Sequence, residues 1–213
     1  MNDLKKLLIL SLLILFYACS QTNDPTPLQA PVATEATDIT NVLFQANWNP
    51  VSGATDYELD IATDAAFTAI IKSIKNLGGP TLVDNLNGNT EYYYRVRATL
   101  NGGDASGNSN VISVFTLPDA PIAIDAINIS NNGFTANWNA VPDISDYLLY
   151  VSLNNFPANP PNNLPGYDGK EVTGTSDNVT GLSSGTIYYY VVKAKNGSRI
   201  SSISNSIMVE TNN

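Results

Sequence analysis

The sequence contains no histidine, so an imidazole base and histidine metal ligands are both excluded. A single cysteine excludes an internal disulfide and a cysteine-rich zinc site. Charged residues make up only 14% of the chain, and 19 acidic residues against 10 basic ones give a net charge of −9. An acidic surface repels phosphate groups, so no nucleic-acid partner is expected. These absences leave a non-catalytic binding or spacer protein, or an enzyme that depends on carboxylates alone.

The N-terminus has the pattern of an export signal. Two lysines precede an apolar run from Leu7 to Tyr17. This run is shorter than the ~20 apolar residues that span a bilayer, and it matches the apolar core of a signal peptide. It ends at Ala18 and Cys19, the only cysteine in the chain. We therefore expect a signal peptide over residues 1–18, followed either by a modified cysteine or by a spare thiol.

A small residue before a lone cysteine resembles the lipobox of bacterial lipoproteins, here Phe16-Tyr17-Ala18-Cys19. In that family the thiol is lipidated, so the resemblance implies that Cys19 anchors the chain to a membrane of the bacterial cell envelope. Ser20, directly after the cysteine, resembles the signal for outer-membrane sorting, with the periplasmic and the surface-exposed side both open. Residues 19–30 are polar, contain two prolines, and are predicted to form a lipid-anchored, extended tether.

The rest of the sequence is an internal duplication of one unit. Ala30 to Tyr57 aligns without a gap with Ala120 to Tyr147, and half of the positions are identical. The match resumes later, after a net insertion between the middle strands of the second copy. Such self-similarity predicts two domains, over residues 31–117 and 121–211, with residues 118–120 as linker. So short a joint, with a proline, should bend but hardly twist.

Apolar and polar residues alternate within each unit. Phe44, Ala46 and Trp48 are separated by polar residues, which is the period of a half-buried β-strand rather than of a helix. Turn-rich stretches separate about seven such runs per unit, so each unit is predicted to be an antiparallel β-sandwich. Trp48 and Trp138 are in phase with the buried positions. We therefore assign both tryptophans to the cores rather than to sugar stacking.

Specific residues in both copies resemble fibronectin type III domains. The motif Leu-x-Gly-x-Thr-x-Tyr92 and its copy Leu-x-Ser-x-Thr-x-Tyr188 resemble the tyrosine corner of that family, in which a tyrosine hydroxyl bonds backbone a few residues upstream. Gly88 and Ser184 replace the proline that is usual at this corner. The paired tryptophans, and a proline that opens the first strand of each copy, match the same family.

The resemblance implies the fold and says little about chemistry. It implies an all-β chain of two tandem immunoglobulin-like (fibronectin type III) antiparallel β-sandwiches behind an N-terminal lipoprotein signal peptide. Modules of this family are spacers and binding platforms, so no enzymatic activity is implied. Together with the lipobox, the Asn-Trp-Asn and Tyr-Tyr-Tyr phrases resemble cell-envelope lipoproteins of the Bacteroidetes type.

The third and sixth strands of such a sandwich are neighbours, so their outward side chains share one surface. In the first copy that surface has Glu58 and Asp60 on one strand, with Tyr93, Arg95 and Arg97 on the other. Opposite charges on paired strands predict a solvated face held by ion pairs.

The second copy has mostly apolar residues at the same positions, although Lys193 stands where the first copy has Arg97. Leu148 and Tyr150 lie on its third strand, and a sandwich exposes an apolar cluster only where something covers it. The cover is a partner, a glycan or the chain's own insertion at 154–169, unless the strand phase differs. Four prolines disfavour a ladder strand in the insertion, whose Tyr167 could reach the face. The candidate binding residues are Leu148, Tyr150, Tyr189, Val191 and Tyr167.

The carboxylates predict neither catalysis nor metal binding. Glycosidase chemistry needs two acids across a cleft, one kept protonated by burial, whereas Asp56, Glu58, Asp60 and Asp64 follow one strand and its end. Three acidic residues of the second copy match no calcium-ligand spacing: Asp143, Asp146 and Asp168. No catalytic residue, metal or cofactor is therefore expected.

The sequence thus favours a non-catalytic cell-envelope lipoprotein that acts as a protein-binding, adhesion or spacer module. Its expected partners are a membrane, through the lipid anchor at Cys19, and an unknown envelope protein or glycan. The alternative is a glycan-binding accessory lipoprotein of a polysaccharide-uptake system, which requires exposed aromatic side chains spaced to fit sugar rings.

Overall fold

The computed structural model describes residues 27–101, 103–157 and 162–213. The predicted signal peptide, Cys19 and most of the predicted tether lie outside these ranges. Fifteen β-strands form within them, seven in the first copy and eight in the second. No helix in the described ranges is long and apolar enough to cross a membrane.

The strands follow one another along the chain with turns between them. Those of the first copy are β1 (Ala33–Thr37), β2 (Phe44–Trp48), β3 (Asp56–Ala62), β4 (Ile70–Leu77), β5 (Thr81–Val83), β6 (Glu91–Thr99) and β7 (Ile112–Phe115). Those of the second copy are β8 (Ala123–Ile127), β9 (Gly133–Trp138), β10 (Asp146–Ser152), β11 (Asn163–Thr173), β12 (Ser176–Thr180), β13 (Ile187–Asn196), β14 (Arg199–Ile200) and β15 (Ile207–Glu210).

Each copy folds into two antiparallel sheets. In the first copy the smaller sheet has the order β1-β2-β5 and the larger one β4-β3-β6-β7. The second copy repeats this order as β8-β9-β12 and β11-β10-β13, with β14 and β15 both paired to β13. The predicted fold class, two tandem antiparallel β-sandwiches, is therefore confirmed.

Each sandwich has its own core, built from alternate residues of its strands. In β2 the burial alternates from Phe44 to Trp48, as predicted. Trp48 and Trp138 are 4% and 2% exposed. Each indole tilts against a tyrosine, Tyr57 or Tyr147, with ring centroids 5.5 and 5.6 Å apart. The two core clusters share no residue, so the tryptophans are packing residues of two separate cores.

The tyrosine corner is present in both copies. The hydroxyl oxygen of Tyr92 accepts a hydrogen bond from the backbone N–H of Asn87 at 2.9 Å. That of Tyr188 accepts one from Ser183 at 3.0 Å. Both tyrosines are buried, so each bond satisfies a loop N–H and fixes the crossover from the smaller sheet to the larger one.

A second tyrosine in each copy ties the two sheets together across the core. Tyr94 of β6 is fully buried and stacks on Phe44 with ring centroids 5.7 Å apart. Its hydroxyl donates to the carbonyl of Thr34 in β1 and accepts the backbone N–H of Asn47 in β2 at 3.3 Å. Tyr190 repeats this arrangement in the second sandwich. One hydroxyl therefore links strands of opposite sheets inside an apolar core.

The insertion of the second copy forms a ladder strand, contrary to the prediction from its prolines. β11 pairs with β10 from Asp146 opposite Thr173 to Ser152 opposite Asn163. The register is irregular near the start of β11, where Pro165 lies between paired positions. Proline is tolerated at such a bulge because its nitrogen, which has no hydrogen to donate, is not needed in the ladder.

Candidate functional site: the outer faces of the larger sheets

The outer face of the larger sheet in the first sandwich is a ladder of ion pairs. Glu58 lies opposite Arg97 and Asp60 opposite Arg95 across β3 and β6. Arg97 Nε donates to Glu58 Oε2 at 2.6 Å, and Arg95 Nη2 donates to Asp60 Oδ2 at 3.2 Å. Lys75 of β4 adds a cation 3.4 Å from Glu58. The charged face is present as predicted, and each partly exposed pair contributes up to about 1 kcal/mol.

The turn between β3 and β4 closes part of this face. The Asp64 carboxylate accepts backbone N–H bonds from Thr68 at 3.1 Å and Ala69 at 2.7 Å, and these bonds lower the pKa of Asp64. The turn places Phe67, 8% exposed, against the sheet. The guanidinium carbon of Arg95 lies 4.1 Å from the Phe67 ring centroid. The only large apolar side chain that the turn brings to this face is therefore covered.

The first sandwich should lose stability as the pH falls. Burial raises the pKa of the Glu58 carboxyl, but hydrogen bonds and charge from Arg97 and Lys75 bring it below the ordinary 4.5. Carboxyls with depressed pKa values bind fewer protons in the folded state than in the unfolded state. Their contribution is therefore complete above the unfolded pKa and is lost as the pH falls through the folded one. The pKa is lowered in the same direction at Asp64, Asp84 and Glu91.

Urea unfolding measures this loss directly. A Trp138→Phe chain keeps Trp48 as the fluorescence reporter of the first sandwich, and its unfolding midpoint should fall between about pH 6 and about pH 3. Adding Glu58→Gln should make this dependence shallower, because one of the linked carboxyls is removed. A midpoint that stays constant over this range would contradict the prediction.

Leu148 is buried on the outer face of the second sandwich, although the sequence predicts it to be exposed. It lies opposite Glu171 of β11 and Lys193 of β13 and is 7% exposed. Glu171 and Lys195, on the two strands that flank β10, form an ion pair across the strand between them. The aliphatic stems of such long side chains cover apolar surface while their charged ends stay in water. The chain therefore covers Leu148 with its own charged residues.

Val191 is also buried, at 1% exposure. It lies opposite Tyr150, between Tyr189 and Lys193 of its own strand. The ring of Tyr150 lies against β11, since a Cβ on Gly169 would be 3.2 Å from the Tyr150 hydroxyl oxygen. Lys193 Nζ is 5.4 Å from the Tyr150 ring centroid, and burial raises the pKa of the Tyr150 hydroxyl. Val191 thus lies beneath larger side chains. The prediction that it is an exposed contact residue is wrong.

Four side chains remain on this face as an apolar surface, which we call the outer patch: Tyr150, Ile187, Tyr189 and Met208. Ile187 and Met208 are 43% and 62% exposed, and both tyrosines are half-buried. Met208 lies directly opposite Tyr189 in the register of β13 and β15. Ile187 and Met208 are not among the residues that the sequence predicts. The available signal for Ile187 is its phase with Tyr189, two residues further along the same strand.

Tyr167 lies away from the outer patch. Its hydroxyl oxygen accepts the backbone N–H of Thr180 in β12 at 3.0 Å, and its ring packs against the core. Lys170 of β11 forms an ion pair at 2.5 Å with Asp177, also in β12. β11 therefore joins the larger sheet to the smaller one at an edge of the sandwich. Tyr167 of the insertion thus covers this edge rather than the outer face.

The described carboxylates do not assemble a catalytic or metal site. Every Asp and Glu in the described ranges is exposed or half-buried, so none is held protonated by deep burial as a general acid requires. Among the same residues, no group of three or more potential ligands could hold a metal ion. Asp146 and Asp168 instead accept hydrogen bonds from Thr173 at 3.0 Å and Asn163 at 2.6 Å.

The molecule has similar counterparts among solved structures. The chain is similar to tandem fibronectin type III segments. It is 18% identical to a two-domain fibronectin type III segment of chicken tenascin, with a TM-score of 0.48 over 87% of this chain and 100% of that one. It is 16% identical to the FN1–FN3 domains of chicken CNTN1, with a TM-score of 0.39 over 87% of this chain and 69% of that one.

One similar protein of known sequence carries an enzyme name. Chitinase A1 of Niallia circulans is 24% identical over 201 residues, which is 88% of this chain and 26% of that protein. The chain therefore spans about a quarter of the length of this relative. No protein-family model matches the chain.

Proposed function

We propose that the protein is a non-catalytic binding module whose outer patch contacts a protein partner. The observation that supports this proposal is the contrast between the two copies on the same face of the same sheet. The first sandwich has paired charges there, whereas the second exposes Ile187 and Met208 beside two half-buried tyrosines. A sandwich gains no stability from exposed apolar side chains, so a surface of this kind favours a binding role.

The composition of the outer patch suits a protein contact. Tyrosine and methionine are enriched at protein interfaces, and tyrosine is among the residues that contribute most to binding. Val191 is buried beneath the patch, and Leu148 is buried beside it, so the side chains of the patch need little further ordering on binding. The charged ends of Glu171, Lys193 and Lys195 supply a polar rim of the kind that surrounds interface centres.

We also propose that this module is held at a bacterial cell envelope by a lipid on Cys19. The lipobox-like residues before the cysteine support this proposal. The polar residues 19–30 would then space the first sandwich from the membrane by roughly 30 Å, at the extension typical of proline-containing tethers. The partner of the outer patch would accordingly be another envelope protein.

A glycan is the second candidate ligand, because the relative in Niallia circulans is named a chitinase. As a glycan-binding accessory protein of a polysaccharide-uptake system, the chain would need open aromatic faces. The ring of Tyr150 is flanked by Gly169 and by Lys193, whose Nζ lies 5.4 Å from its centroid. That leaves Tyr189, itself half-buried, as the main ring for stacking. The geometry therefore favours the protein partner over the glycan.

The double variant Tyr150→Ser with Tyr189→Ser tests the outer patch. Immobilised full-length protein should retain its partner from an envelope extract, and the variant should retain at least about tenfold less, which corresponds to a loss of roughly 1.4 kcal/mol. The matched control is Asp60→Ser with Tyr93→Ser, the equivalent positions of the first sandwich, and it should capture as much as the parent chain.

Two outcomes contradict the proposal. Equal capture by the parent and the patch variant, with both chains folded by circular dichroism, would show that the outer patch is not the contact surface. Retardation of the parent chain, but not of the patch variant, in gels containing a soluble chitin derivative would assign the same surface to a glycan.

A further inference from the structure

The hairpin between β13 and β14 of the second sandwich contacts the first sandwich. Asn196 Nδ2 donates to Asn89 Oδ1 at 2.7 Å. The guanidinium carbon of Arg199 lies 3.7 Å from the ring centroid of Phe115, the last residue of β7. Nε of Arg199 is buried, so water is displaced from this contact. The tip of the hairpin therefore forms part of the contact between the two sandwiches.

The positive charge of Arg199 also stabilises a carboxylate of the first sandwich, that of Glu91. The pKa of Glu91, at the start of β6, is lowered chiefly by a hydrogen bond with Ser113, with a smaller contribution from Arg199. Since Phe115 pairs with Glu91 across β6 and β7, the guanidinium lies over a ring and near a carboxylate of the same strand pair. Both contacts favour the same position of the hairpin.

Hydrogen bonds hold both the last residue of the first unit, Leu117, and Asp119 of the joint to loops of the first sandwich. The backbone N–H of Leu117 donates to the carbonyl of Thr40 at 3.0 Å, and its carbonyl accepts the N–H of Asn89, also at 3.0 Å. Asp119 Oδ1 accepts Asn41 Nδ2 at 2.8 Å. The bending that the sequence predicts for residues 118–120 would strain the Asp119 bond, because Leu117 beside it is fixed. The joint is thus an extension of the first sandwich.

Gly88 makes room for this arrangement. A Cβ at Gly88 would lie 2.7 Å from Asp119 Oδ1 and 3.2 Å from the Asp119 backbone nitrogen. Proline, which is usual at this corner in the family that the sequence resembles, would therefore collide with the joint. The second copy has Ser184 at the equivalent position. The glycine is explained by the docked joint and not by the tyrosine corner itself.

We propose that Arg199 and Phe115 clamp the two sandwiches into one rigid unit with a fixed angle between their sheets. The clamp is specific to this order of the copies. In the loop between β6 and β7 of the first sandwich, Asp104 stands where Arg199 stands in the second. Glu210 ends the last strand of the second sandwich where Phe115 ends that of the first. Loops of this kind often bind ligands on such scaffolds, but here the hairpin tip contacts the first sandwich instead. This tip is therefore not free to bind another ligand.

Distance measurements between two spin labels test the clamp in the full chain. Labels are attached at Ala65→Cys in the first sandwich and Ser145→Cys in the second, both exposed positions, with Cys19→Ser to remove the native thiol. The parent distribution should be narrow, and Arg199→Ala should widen it at least about twofold, as expected for domains that lose their interface. Asp104→Ala, at the equivalent position in the loop between β6 and β7, should leave it unchanged.

Phe115→Ala removes the other half of the clamp and should widen the distribution to the same extent. Tryptophan fluorescence in urea shows that both sandwiches remain folded in each variant. A broad distribution in the parent chain would overturn the rigid unit. A narrow one in either folded variant would overturn the clamp. These results do not depend on the identity of the ligand, so they stand apart from the capture experiment.

Discussion

Replacing Tyr94 with alanine should lower the free energy of unfolding of the first sandwich by about 3–5 kcal/mol, the range for removing a large buried aromatic side chain. The ring is fully buried and stacked on Phe44, so its removal leaves a cavity between the sheets. Its hydroxyl serves the backbone of Thr34 and Asn47 in the opposite sheet. The Thr34 carbonyl and the Asn47 N–H then lose a hydrogen-bond partner, and water cannot readily replace it because the site is buried.

Tyr94→Phe separates the two contributions. It keeps the ring and removes the hydroxyl, so the loss should be about 1–3 kcal/mol, the cost of unpaired buried polar groups. Tyr190→Phe should cost the second sandwich a similar amount, since the same bonds recur there. Urea unfolding of the full chains measures both. A Tyr94→Phe chain as stable as the parent would show that the hydroxyl does not hold the sheets together.

Gly133→Ala should destabilise the second sandwich by about 1–3 kcal/mol through overpacking. A Cβ at this position would lie 2.4 Å from the carbonyl oxygen of Val179 and 3.4 Å from the Cα of Thr180. Both neighbours are backbone of β12, which pairs with β9 at this point. The two strands would have to separate, because no flexible side chain can move aside.

Gly78→Ala is the matched control in the first sandwich. A Cβ there meets nothing within 4 Å, and no positive φ is associated with Gly78. The change should therefore be neutral or stabilise by up to about 1 kcal/mol, through the entropy of the unfolded chain. Equal stabilities of Gly133→Ala and the parent would mean that β9 and β12 can part without cost.

Much of the fold is readable from the sequence because short-range patterns specify it. Alternation places Trp48 and Trp138 inside, and both are buried. The spacing of Tyr92 and Tyr188 from their loops identifies the tyrosine corner, and both hydroxyls bond five residues upstream. These features depend on period and local spacing, which a sequence states directly.

The outer face of the second sandwich is less readable because its cover comes from other strands. Leu148 is outward by alternation, yet Glu171 and Lys195 meet across it. That contact requires the register of three strands, and the insertion hides the register of one of them. Met208 faces Tyr189 for the same reason. Alternation predicts the side on which a residue points; cross-strand neighbours decide whether it is covered.

The role of the insertion also depends on register. Its prolines count against a ladder only if they fall at bonded positions, and Pro165 falls at an irregular one. Tyr167 reaches the smaller sheet because β11 ends the larger sheet beside β12. Neither the register at Pro165 nor the position of Tyr167 can be predicted from residue types alone.

The outermost strands of the larger sheets differ in how they resist addition of another chain. β4 exposes Ile70 and Ile71 but carries Lys72 and Lys75, and charged side chains at a sheet border discourage edge-to-edge association. β11 is interrupted by Pro165 and bonded to the neighbouring sheet instead. Each sandwich thus discourages edge-to-edge pairing at this one border of its larger sheet by its own means. Pairing of neighbouring copies through β4 or β11 is therefore disfavoured even at high local concentration.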